Sequence, residues 1–159
     1  MNQTADSWAR ARKPAHETKV ILLVVVNDRT TRSMLHWMLN KRGYHTLLAG
    51  SAEQALAMTK VLGSEFFSVL MTDVNLPGMD GIELAAKLRA IRPGLKTVFV
   101  SAMPKERFAE LAAGALQAVF VPKPFNADEL DAALRGLWRA DGGDTGQERD
   151  RAIREPLAG

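Results

Sequence analysis

The stretch Phe66-Phe67-Ser68-Val69-Leu70-Met71-Thr72-Asp73, running into Val74-Asn75-Leu76-Pro77-Gly78-Met79-Asp80-Gly81, decides the fold. A short, almost wholly apolar run cut off by a turn of Asn, Pro, Gly and Asp reads as a strand buried on both faces. A strand with one wet face would alternate instead. The run ends in an acid, so a carboxylate emerges from an apolar strand into a turn.

Four more runs of the same character lie at 19–26, 45–49, 97–100 and 118–121, with the central one at 67–72. Amphipathic stretches separate them, and that alternation predicts a parallel sheet with helices on both faces. The first helix carries Met34, Leu35, Met38 and Leu39 inward and stops near Gly43. The second begins after Ser51, a hydroxyl cap with Glu53 and Gln54 in its first turn. The third covers 81–90 with Ile82, Leu84, Ala85 and Leu88 inward, and ends before Pro93. The fourth covers 104–113 with Phe108 and Leu111 inward. The fifth starts at Asn126, with Glu129 as the acidic half of a capping box, and runs through Leu130, Leu134 and Leu137. Residues 1–18 and 141–159 lack periodicity and read as mobile tails around one domain at 19–140.

Composition excludes several classes. The 159 residues hold no cysteine, so disulfide and thiolate chemistry are out, and three scattered histidines make no zinc site. The apolar run Val20 to Val26 is far short of the roughly 18 residues of a membrane span. A reducing cytoplasm is the expected location. The net charge is +3, but 21 Lys and Arg are interleaved with 18 Asp and Glu, without the basic stripe and stacking aromatics of a nucleic-acid surface.

In an open parallel sheet, ligands bind beyond the carboxyl ends of the strands. Those ends carry Asn27 and Asp28, Asp73, Ser101 and Lys123, which would face one crevice. Alone, Asp73 reads as a turn aspartate, Lys123 as a solvated lysine and Ser101 as a cap for the helix after Pro104. Together, an ammonium, a hydroxyl and further oxygen donors supply what a carboxylate needs to accept a phosphoryl group.

The segment Thr72 to Gly81 followed by Ile82-Glu83-Leu84 resembles the phosphoacceptor segment of response-regulator receiver domains. Val100-Ser101-Ala102 is similar to that family's hydroxyl position, and Pro122-Lys123-Pro124-Phe125 to its Lys-Pro-Phe signature. The likeness runs from about Lys19 to Arg139, taking in Gly43-Tyr44 and Ala113-Gly114-Ala115. It implies a flavodoxin-like (βα)5 fold with strand order 2-1-3-4-5. It implies phosphorylation of Asp73 by a histidine kinase or phosphotransfer protein, with Lys123 and Ser101 holding the phosphoryl oxygens. Ser101 and Phe120 would be the switch pair, and the peptide before Pro124 would be cis. Mg²⁺ would be bound by Asp73 and the backbone carbonyl of Asn75. A downstream protein would dock on the face of helix 4, strand 5 and helix 5.

One departure stands out. Counting back from Arg32 and Gly43, the family's adjacent acidic pair falls on Val26 and Asn27, neither of which carries a charge. A loop shorter by one residue would instead make Asn27 and Asp28 the pair, so either is a weak metal candidate. A pseudo-receiver that binds its partner regardless of phosphate is therefore the alternative reading. An aspartate-nucleophile phosphatase is disfavoured, because its second Asp would fall at Asn75; self-dephosphorylation is the most catalysis expected. The stretch 141–159 is too short for a helix-turn-helix unit, so protein contact rather than DNA binding is the expected output.

Overall fold

A strand that is apolar on both faces needs a neighbour on each side and a helix above and below, and the strand that ends in Asp73 has all four. The structure is a computed structural model that describes residues 20–112 and 118–139. Along the chain come β1 (Ile21–Val25), α1 (Arg29–Lys41), β2 (His45–Ala49), α2 (Ala52–Leu62) and β3 (Val69–Asp73). They are followed by α3 (Gly81–Ile91), β4 (Lys96–Ser101), α4 (Lys105–Leu111), β5 (Ala118–Pro122) and α5 (Ala127–Arg139). All strand pairings are parallel, in the order β2-β1-β3-β4-β5, so the flavodoxin-like expectation holds. The expected tails and the Ala113-Gly114-Ala115 step lie outside the described residues. Among the described residues no helix is long and apolar enough to cross a membrane.

Alternation along each strand sorts the core into two layers. Val24, Val26, Met71, Val98, Val100 and Val121 pack against Leu35 and Leu39 of α1 and Leu130, Leu134 and Leu137 of α5. Leu23, Val25, Leu70 and Phe99 pack against α2, α3 and α4 through Ala55, Leu84, Leu88 and Phe108. Helix starts follow the sequence signals. Ser51 Oγ accepts from Gln54 N at 3.1 Å, and Asp80 Oδ1 accepts from Glu83 N at 2.8 Å. At α5 the capping box is reciprocal: Glu129 N donates to Asn126 Oδ1 (2.8 Å) and Asn126 N donates to Glu129 Oε2 (3.2 Å).

Two inward assignments are corrected. Met34 is 40% exposed, because Leu35 and Leu39 form the i, i+4 row that meets the sheet and Met34 lies about 100° round the helix from Leu35. Leu111 is 46% exposed; α4 spans only Lys105–Leu111, its buried side chain is Phe108, and Leu111 closes the following turn. Strand bounds move by a residue or two. β3 takes in Asp73 and β4 takes in Ser101, because the pairing of Asp73 with Val100 and of Ser101 with Pro122 carries the ladder to the polar ends.

The turn from β3 into α3 depends on Gly81. Its N–H donates to the carbonyl of Val74 at 2.9 Å, and a Cβ built there would lie 2.0 Å from the carbonyl oxygen of Asp73. The backbone passes so close that only glycine fits. By contrast, a Cβ on Gly136, inside α5, meets nothing within 4 Å. The same substitution should therefore have opposite signs at the two sites. Urea melts should show Gly81→Ala losing about 2–3 kcal/mol through forced backbone movement, and Gly136→Ala gaining about 0.5–1 kcal/mol by removing helix-interior glycine.

Candidate functional site at the carboxyl end of the sheet

Each polar strand end is delivered by the apolar strand beneath it. Asp73 sits opposite Val100 on β4, and Lys123 continues β5, its N–H donating to the carbonyl of Ser101 at 2.8 Å. From there the lysine reaches back over β4, a span of two strand spacings or about 10 Å, and places Nζ 2.6 Å from Asp73 Oδ2. The two side chains are 26% and 14% exposed, so water screens the pair only in part. The Lys123–Pro124 peptide is cis, as the family resemblance implies.

Ser101 lies on the strand between these partners and is fully buried. Its Oγ accepts a hydrogen bond from Met103 N at 3.1 Å, which leaves the hydroxyl proton to serve another acceptor. It makes no cap at α4, where Pro104 holds the N-cap position without a side-chain bond. By strand alternation Ser101 shares a sheet face with Phe99, and Phe120 lies opposite Phe99 in the β4–β5 register. Phe120 stacks on Phe108 with ring centroids 4.7 Å apart, and Phe108 meets Phe99 at 5.0 Å. An aromatic column thus runs from β4 through α4 to β5 beneath Ser101.

The β1 end is different in kind. The register sets Val25 opposite Thr72, so Val26 stands level with Asp73. Val26 is fully buried, packed with the α1 and α5 core. Asn27 turns toward β2, donating from Nδ2 to the carbonyl of Gly50 at 3.2 Å. Asp28 is the N-cap of α1. Its Oδ2 accepts from Thr31 N (2.8 Å) and from the Thr31 hydroxyl (2.6 Å), and these bonds hold its carboxyl below the usual carboxylate value.

Three contributors left no mark in the sequence. Arg32 Nη1 donates to the carbonyls of Val26 (2.7 Å) and Asn27 (3.1 Å) and so pins the β1–α1 loop. Glu53 Oε1 accepts from Met79 N at 3.3 Å, which ties α2 to the loop that carries Asn75. The Thr72 hydroxyl donates to the carbonyl of Asp73 at 2.9 Å, with the carbonyl of Val25 at 3.3 Å. All three act on backbone groups, and a bond to backbone imposes no pattern on residue types.

The receiver family generally binds Mg²⁺ at an acidic pocket. Tested against that need, the described residues hold no group of three or more His, Cys, Asp or Glu placed to take a metal ion. Asp73 is paired with Lys123, Val26 offers no side-chain donor atom, and Asp28 is committed to its cap. A hard divalent ion prefers six or more oxygens. This donor set does not fit it.

Residues 22–135 match the family described as the response regulator receiver domain. The chain is 37% identical over 122 residues to response regulator MprA of Mycobacterium bovis, covering 76% of this chain and 51% of that protein. It is 32% identical over 114 residues to the transcriptional regulatory protein TctD of Salmonella typhimurium, covering 70% and 50%. It therefore spans about half the length of these relatives. Among solved structures, a CheY-like receiver domain protein of Methanospirillum hungatei aligns with TM-score 0.67 and 28% identity over 79% of this chain and 98% of that one. The chemotaxis protein CheY4 of Vibrio cholerae aligns with TM-score 0.69 over 76% and 99%; at 22% identity it shows the shared fold alone.

The Asp28 cap makes a pH prediction. A carboxyl held below its unfolded value contributes stability above the ordinary carboxylate range and loses it as pH falls through the lowered folded value. Thr31→Val removes the hydroxyl bond and leaves the N–H bond. An NMR titration of the Asp28 carboxyl should then show its midpoint rising toward the ordinary value, with α1 fraying at a higher pH than in the wild type.

Proposed function

This chain belongs to the response-regulator receiver family, and from that premise we propose that it accepts a phosphoryl group on Asp73 and signals through protein contacts. The observation that carries the reading is the 2.6 Å pairing of Lys123 with Asp73 across an intervening strand that ends in buried Ser101. Receiver domains take their phosphoryl group from histidine kinases or phosphotransfer proteins, and are signalling domains rather than enzymes with small-molecule turnover. In the transfer, an Asp73 oxygen bonds to phosphorus as the bond from phosphorus to the donor's histidine nitrogen breaks. The charge of the Asp73 carboxylate is taken up in the new acyl phosphate bond, and Lys123 passes to the phosphoryl oxygens. Ser101 donates its free proton to one of them.

Drawing Ser101 toward the phosphoryl group would open space above the aromatic column, where Phe120 rests on Phe108. The change would thus reach α4, β5 and α5, the face proposed to meet a downstream protein. A reducing cytoplasm suits a chain without cysteine. A second reading, a pseudo-receiver whose partner recognises one fixed conformation, is favoured by the buried Val26 and by the commitment of Asn27 to Gly50.

Intact mass spectrometry after incubation with acetyl phosphate, or with a kinase that acts on the chain, should reveal one phosphoryl adduct that Asp73→Asn lacks. If no donor yields an adduct and Asp73→Asn leaves partner affinity unchanged, the pseudo-receiver reading replaces the first. Ser101→Ala should keep the adduct but lose the phosphorylation-dependent shift of the Phe120 ring resonances, because the link from phosphoryl group to aromatic column is cut.

A further inference from the structure

We infer that the Asp73 pocket is closed electrostatically by Lys123 and recruits no divalent cation, an inference that deepens the phosphoacceptor reading of the same site. Four features of the β1 end each remove something a cation would need.

Val26 stands level with Asp73 and is fully buried among Leu35, Leu39 and the β-sheet valines, so a hydrocarbon lines that side of the carboxylate. Asn27 is uncharged and its amide is committed to Gly50. The Asp28 carboxylate, although acidic, accepts two bonds from Thr31 as the cap of α1. The carbonyls of Val26 and Asn27 accept from Arg32, which brings a fixed positive charge against the very loop that would have to wrap a cation.

The charges then balance without a metal. Asp73 is offset by Lys123, whose charge also acts on Asp28, while Arg32 sets a second positive charge against the carbonyls of Val26 and Asn27. An acidic pair at 26 and 27 would add two negative charges, and these are what a divalent ion neutralises. Replacing both acids with Val26 and Asn27 removes those charges and the need for the ion together. A divalent ion entering this pocket would shed tightly held water for one carboxylate already bonded to an ammonium. On a phosphorylated Asp73, the compensation would come from Lys123 and Ser101.

The test uses Mn²⁺ as a paramagnetic probe, with Mg²⁺ as a diamagnetic competitor, read by amide NMR of the whole chain. Wild type should show no saturable, Mg²⁺-competed broadening around Asp73 and Asn75. The double variant Val26→Asp, Asn27→Asp should acquire it, with an affinity at least about tenfold tighter, and should gain thermal stability on addition of Mg²⁺ where wild type gains none. Should an acid at the buried position of Val26 prevent folding, Asn27→Asp alone changes only an exposed position and should show a smaller gain of the same sign. Saturable, Mg²⁺-competed broadening at Asp73 in wild type overturns the inference. The titration reads cation occupancy and not phosphoryl transfer. An Asp73 that never takes phosphate would leave this result standing, and cation binding by wild type would leave phosphoacceptance intact.

Discussion

The carbonyl of Asp73 is packed against the α-carbon of Gly81, and the geometry of the whole polar end follows from that contact. With no side chain at 81, α3 can begin directly behind the end of β3, and the loop of Asn75, Pro77 and Gly78 is folded over the top of the strand. The Asp73 backbone is thereby locked from below by its ladder with Val100 and from behind by α3. What remains to be placed is one carboxylate, and it points toward the space above β4 where Lys123 arrives. Glu53, bonding to Met79 N, holds the outer side of the same loop. A short carboxylate on a rigid support can hold its position while a long, adaptable ammonium adjusts to it, which keeps the reactive centre well defined.

Directly under that centre the two sheet faces carry different tasks. On the α1 and α5 side, aliphatic side chains from β1, β3 and β4 give a dry floor that ends in Val26. On the α2, α3 and α4 side, Ser101 caps a stack of Phe99, Phe108 and Phe120 that spans two strands and a helix. The column is a continuous packed path from the strand ends to α4. The short α4 has one buried anchor, Phe108, so its hold on the sheet runs through that ring and its contacts with Phe99 and Phe120. α5 is held differently: the Tyr44 hydroxyl, just before the edge strand β2, donates to the buried carboxylate of Asp131 at 2.7 Å.

Much of this architecture is legible along the chain. The strands announced themselves because a strand buried on both faces must be apolar throughout. The helix starts were legible at Ser51 and Asn126 because a cap needs a short polar side chain at one position. Errors fell where the sequence signal was broader than the physical contact. Met34 belongs to an apolar stripe, but the core is met by Leu35, Met38 and Leu39; Leu111 has the right spacing, but α4 is too short to bury a second turn.

Residue types and their spacing along the chain settle the parallel α/β fold and the placing of Asp73, Ser101 and Lys123 at strand ends. How those residues meet is set by the folded arrangement. Lys123 meets Asp73 across fifty residues of chain, Asp28 turns away to cap α1, Asn27 turns to Gly50, and Arg32 seals two loop carbonyls. Strand order brings distant residues together, and bonds to backbone carbonyls are open to any donor of sufficient reach, so neither leaves a pattern that can be read along the chain.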